Sequence, residues 1–160
     1  MVDRPVWLLD VDGVLNAPRP GWGGPPARRH VDVDGHPLRL TWEPRAVACV
    51  RTLHMAGVVE VRWCTTWCPW ADVLEDLWQL PRLGRAWDRM PVDTWEAKVD
   101  AALGVLGAGR RLVWADDDLD PAGLPPELAA AGGRVLLVRP RPSRGLRPED
   151  LHRVEEFARS

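Results

Sequence analysis

The sequence predicts an α/β fold: a mostly parallel sheet between two helical layers, with a small β-hairpin flap added after the first strand. Three observations carry this expectation. Four short, continuous apolar runs end at turn-forming or polar residues, as strands buried on both faces do. Helical segments lie between them, which makes right-handed βαβ units the simplest connection. One Gly/Pro-rich stretch, residues 16–42, breaks the rhythm and carries a hairpin signal.

Taken in order, the run PVWLLDV (residues 5–11) is the first strand and stops at Asp12-Gly13. The loop APRPGWGGPP follows, then a segment whose Asp34-Gly35 pair is a two-residue hairpin turn. That turn puts Val31, Val33, His36, Leu38 and Leu40 on one face and Asp32 and Arg39 on the other, and Pro37 suits an edge strand. The next segment, EPRAVACVRTLHMAG, has Pro44 in its first turn and Gly57 past its end, the asymmetry of a helix. Val58 to Thr65 is the next strand, and WADVLEDLWQL the next helix, with a short strand or loop expected near GRAWDRM. In DTWEAKVDAALGVLG, Asp93 and Glu96 have the spacing of an N-cap and its capping-box partner. Arg110 to Asp116 and Arg134 to Pro140 are the last strands, and RPEDLHRVEEFARS closes the chain as a helix. No repeat or linker marks a boundary, so residues 1–160 read as one domain with residues 16–42 as its flap.

Composition excludes several classes. With 46% hydrophobic and 28% charged residues and a net charge of −2, the chain has a globular profile and no global drive towards nucleic acid or anionic membrane. No apolar run approaches a membrane span and MVDRPVW lacks a signal-peptide pattern, so a cytoplasmic location is expected. Three cysteines do not make a disulfide framework, and the spacing of Cys64 and Cys68 fits neither a CxxC pair nor a zinc site. The two serines, Ser143 and Ser160, are not in a nucleophile elbow, which argues against serine hydrolysis.

The tetrapeptide DVDG occurs twice, and its surroundings separate the copies. Residues 32–35 form the hairpin turn, and Pro37 and His36 rule out a calcium loop there. Residues 10–13 end a buried strand, where Asp10 and Asp12 project to the same side and Gly13 permits a sharp turn. The C-terminal ends of parallel strands are where α/β proteins bind ligands. The other strand ends offer Thr65 and Thr66, and Asp116, Asp117 and Asp118. Lys98, the only lysine beside twenty arginines, lies early in a helix that begins at the same rim. Carboxylates so gathered repel one another unless the lysine and a cation offset them, and a hard oxygen set favours Mg²⁺. Thr66, Trp22 on the flap and Trp67 after the threonines are candidates for contact with substrate, whereas Trp7, Trp63 and Trp114 read as core.

The order DxD, Thr, Lys, Asp pair resembles the haloacid dehalogenase-like superfamily of phosphohydrolases, over residues from Val6 to about Val138. The resemblance implies a Rossmann-like three-layer fold and a Mg²⁺-dependent phosphatase. Asp10 would be the nucleophile, Asp12 the general acid and base, Thr65 a donor to the phosphoryl group and Lys98 its counter-charge. Asp116 and Asp117 would bind Mg²⁺ with Asp10 and the Asp12 backbone carbonyl. Thr66 stays open beside Thr65, as do Asp118 and Asp120 beside the Asp pair. Val14 stands where many members have threonine. No segment is long enough for a cap domain, so the expected substrate is a phosphomonoester on a small molecule or a nucleic-acid end. The alternatives are a non-catalytic phosphate- or partner-binding module and phosphoryl transfer to an acceptor other than water.

Overall fold

The computed structural model describes residues 3–160. Five parallel strands form one sheet in the order β5-β4-β1-β6-β7. They are β1 (Val6–Leu9), β4 (Glu60–Trp63), β5 (Gly84–Arg85), β6 (Leu112–Ala115) and β7 (Val135–Val138). Every residue of β1 and β6 is buried, which is why both read as unbroken apolar runs rather than alternating ones. Alternate side chains of the two strands enter different core clusters. Trp7, Leu9, Val113 and Ala115 pack with residues of α1 (Pro44–Met55), α2 (Ala71–Trp78) and α5 (Pro148–Arg159). Val6, Leu8, Leu112 and Trp114 pack with Ala102 and Val105 of α3 (Thr94–Gly107) and Leu128 of α4 (Pro126–Ala130). The sheet is therefore flanked by helices, and Trp7, Trp63 and Trp114 are wholly enclosed.

Strands are shorter than the apolar runs because their last residues leave the ladder to build loops. The Glu43 carboxylate accepts from the Arg45 N–H at the start of α1, and Asp93 accepts from the Glu96 N–H at 2.9 Å at the start of α3. The short helix α4 was not expected from the sequence, and the segment near GRAWDRM supplies only the two-residue β5.

Strands β2 (Ala27–Val33) and β3 (His36–Trp42) form a separate antiparallel hairpin. Its turn residues Asp34 and Gly35 have φ of 52° and 78°, the left-handed pair of a type I′ turn. Val33 and Leu40 reach into the core, so the hairpin is anchored rather than free. Among the described residues, no helix is long and apolar enough to cross a membrane.

Candidate active site

After β1 the chain folds back on itself at once. The Val14, Leu15 and Asn16 N–H groups all donate to the Val11 carbonyl, and the Gly13 N–H donates to the Asn16 carbonyl at 2.8 Å. Gly13 has φ of 77°, and a Cβ placed there would lie 2.5 Å from an Asp117 carboxylate oxygen. This one position thus demands glycine twice, once for its backbone and once for room. The close approach carries the β1 loop against the β6 loop and brings Asp117 to Asp10.

Asp10, Lys98 and Asp116 form a buried ionic cluster. The Lys98 ammonium donates to Asp10 at 3.1 Å and to Asp116 at 2.6 Å, and all three side chains are nearly solvent-free. Ligand oxygens of Asp10, Asp116 and Asp117 lie within 4.8 Å of one another. The Val11 N–H donates to Asp10 at 2.7 Å, and the buried Thr65, whose hydroxyl oxygen accepts from the Trp67 N–H at 3.3 Å, stands beside it. Burial, and next the neighbouring Asp116, push the Asp10 carboxyl up to about 7, with Lys98, Val11 and Thr65 opposing. Burial alone would depress Lys98, but its two carboxylate partners outweigh that and hold its ammonium above the usual range. Asp117 is raised too, by burial and by Asp118 and Asp116. With all three ionised, three carboxylates against one ammonium leave two negative charges, which one divalent cation would balance. The donor set is all hard oxygen, so the residues present fit Mg²⁺.

Asp12 stands outside this carboxylate cluster and lines an open crevice. Both its oxygens are engaged: Oδ1 accepts from the Asn16 side chain at 2.8 Å and Oδ2 from the Trp67 indole at 3.1 Å. The crevice, about 660 Å³, lies between the hairpin and the loop after β4. Val33, Leu38, Trp67, Trp70 and Met90 give it apolar walls, and Asp12, Asn16, Arg39 and Thr66 give it polar ones. Asp34, at the hairpin tip, accepts from the Trp70 indole at 3.1 Å and so fastens the flap across the crevice.

Comparison with family models, with curated proteins and with solved structures found no match to the chain. The site therefore stands on its own geometry. Asp10, Thr65, Lys98, Asp116 and Asp117 converge, and Asp12, Thr66 and Trp67 line the adjoining crevice. The two threonines divide the space: Thr65 is wholly buried against Asp10, while Thr66 is exposed on the crevice wall. Asp118 and Asp120 stay outside the carboxylate cluster, each exposed, the latter capping a turn through Ala122. Trp22 is not brought to the crevice. Its indole donates to the Leu146 carbonyl at 2.8 Å, and Arg45 lies over its ring at 5.4 Å, so it packs beside α1 and α5 instead.

Sequence reasoning missed Asn16. It donates to Asp12, accepts the Thr41 N–H of β3 at 2.9 Å, and so ties the flap to the DxD loop. A signal was there: it is the only asparagine in the chain, four residues after Asp12.

Proposed function

We propose that the protein is a Mg²⁺-dependent phosphatase that hydrolyses a phosphomonoester through an aspartyl-phosphate on Asp10. The single observation that carries this reading is the Asp10–Lys98–Asp116 cluster, with Asp117 beside it and Asp12 facing an open crevice. The cluster supplies a nucleophile, a fixed cation and a hard-ligand set at the C-terminal edge of parallel strands. The two core clusters on opposite sides of β1 support a three-layer, Rossmann-like arrangement of the haloacid dehalogenase type.

In this reading Asp10 attacks phosphorus, the ester P–O bond breaks, and Asp12 protonates the departing oxygen. Water then attacks the aspartyl-phosphate with Asp12 taking its proton, which releases inorganic phosphate and restores Asp10. The Val11 N–H holds the Asp10 carboxylate in place, Thr65 donates to a phosphoryl oxygen, and Lys98 offsets charge on Asp10 and on the phosphoryl oxygens. A Mg²⁺ held by Asp10, Asp116 and Asp117 would add positive charge at the phosphoryl group. Asn16 and Trp67 hold Asp12 at the crevice, where a leaving group would sit.

The test is hydrolysis of an aryl phosphate and a broad panel of phosphomonoesters with Mg²⁺. Wild type should turn over, chelation should abolish activity, and Asp10→Asn should lower kcat to background. Asp12→Asn should cost about 10²–10⁴-fold, the usual range for an acid–base group. Equal inactivity of wild type and Asp10→Asn over the whole panel would sink the proposal.

A further inference from the structure

A second, smaller recess opens beside the crevice. Arg28, Arg39, Thr41, Asn16 and Pro18 line it, and it encloses about 350 Å³. It shares Asn16 and Arg39 with the crevice, so the two spaces adjoin at the flap. Arg28 faces Thr41 across the hairpin, and Arg39 is two residues further along the same strand face. The two guanidinium groups therefore project from one face as diagonal neighbours, within reach of one anion placed between them. Neither forms an ion pair with any carboxylate among the described residues. Asp32, on the same face, is the natural partner for Arg39, yet its carboxylate is turned into the hairpin to accept the Gly35 N–H at 2.8 Å. Most other arginines of the fold are spent on carbonyls or carboxylates, as Arg45, Arg51, Arg82, Arg110 and Arg111 are.

We propose that Arg28 and Arg39 form an anion subsite for a second phosphate of the substrate, on its leaving-group side. The proposal rests on the phosphatase reading and narrows it: the preferred substrate is a phosphomonoester carrying another phosphate nearby. Forked guanidinium groups suit phosphate oxygens, and Thr41 and Asn16 add neutral polar groups at the recess wall. Two sources have this chemistry, a phosphorylated nucleic-acid end and a bisphosphorylated sugar.

The experiment compares kcat/KM within two substrate pairs: terminally phosphorylated dithymidylate against thymidine monophosphate, and a hexose bisphosphate against its monophosphate. Wild type should prefer the second phosphate in at least one pair, and that pair names the source. Arg28→Gln and Arg39→Gln should each lower the preference ratio about tenfold, the worth of one charge-assisted contact. High salt should lower it as well, because both groups are exposed. A ratio near one in wild type for both pairs, or a ratio unmoved by both substitutions, overturns the subsite. If no substrate is turned over, calorimetric titration of terminally phosphorylated dithymidylate and of the hexose bisphosphate into wild type and Arg28→Gln decides separately. Tighter binding to wild type of either ligand keeps the subsite while the phosphatase reading falls, and equal or no binding of both removes the subsite too.

Discussion

At the residue scale, Asp12 depends on two neighbours that donate to it. In the proposed reaction Asp12 must present an oxygen to the leaving group, and the Trp67 indole and the Asn16 amide fix its plane. Trp67→Phe keeps most of the buried ring and deletes the donor. It is expected to lower kcat on aryl phosphate about fivefold, for the loss of about 1 kcal/mol, with KM nearly unchanged. A drop in KM-dependent binding alone, with kcat intact, would assign Trp67 to the crevice wall only. Gly13 makes a different demand. Alanine there must adopt a left-handed φ and displace the Asp117 carboxylate. Gly13→Ala should destabilise the fold by about 1–3 kcal/mol. Calorimetric titration should also show Mg²⁺ affinity falling well beyond what lost stability explains, and unchanged affinity would detach Asp117 from the metal set.

At the element scale, the strand ends matter because the helices between them are pinned in register. Helix α1 is tied to β4 by the Val61 N–H, which donates to His54 Nδ1 at 3.0 Å. That contact needs an unprotonated imidazole. Burial first, and Arg4 next, hold His54 below its ordinary value, with Glu60 opposing. The folded protein therefore binds this proton less readily than the unfolded chain, where histidine titrates at about 6.5. The contribution is fully present above that pH and is lost as pH falls from there through the lower folded-state value. The melting temperature should accordingly drop less between neutral pH and mildly acid pH in His54→Gln, whose amide can still accept from Val61, than in wild type. Equal drops would show that the contact does not report on this titration. The same scale shows what the sequence could reveal. Strands β1 and β6 were legible because burial on both faces leaves an unbroken apolar run. Helix α3 was legible through its Asp93 cap, and the hairpin through Asp34-Gly35. Helix α4 was not, since five residues beginning at the second of two adjacent prolines carry no helical period. Nor was the place of Trp22: a ring on a Gly/Pro loop has no periodicity to orient it, and only the folded contacts to Leu146 and Arg45 do.

On the scale of the whole molecule, the fold gathers negative charge at one sheet edge and answers it with its single lysine. The convergence was legible as motif order because parallel strands put all their C-terminal ends on one side. The sharing of one ammonium between Asp10 and Asp116 was not, because periodicity gives a face and not a distance. This arrangement ties stability to the site. Removing one partner of a buried ionic cluster costs about 3–5 kcal/mol, since the remaining charges stay desolvated. Lys98→Met, which keeps the aliphatic length, should therefore melt markedly lower than wild type in chelator. A divalent cation supplies the missing charge. At about 100 times its dissociation constant it adds about 2.7 kcal/mol by binding the folded state alone. In a chain of 160 residues that corresponds to a rise of roughly 5–10 °C. Wild type should show this rise with Mg²⁺ and Asp117→Asn a smaller one. Lys98→Met should show at least as large a rise as wild type, because its carboxylates have no other counter-ion. Scanning calorimetry in chelator and in excess Mg²⁺ measures all three. If Mg²⁺ moves none of them, the charge excess of the cluster is not met by a metal ion. If it moves wild type and Asp117→Asn alike, the cation sits elsewhere.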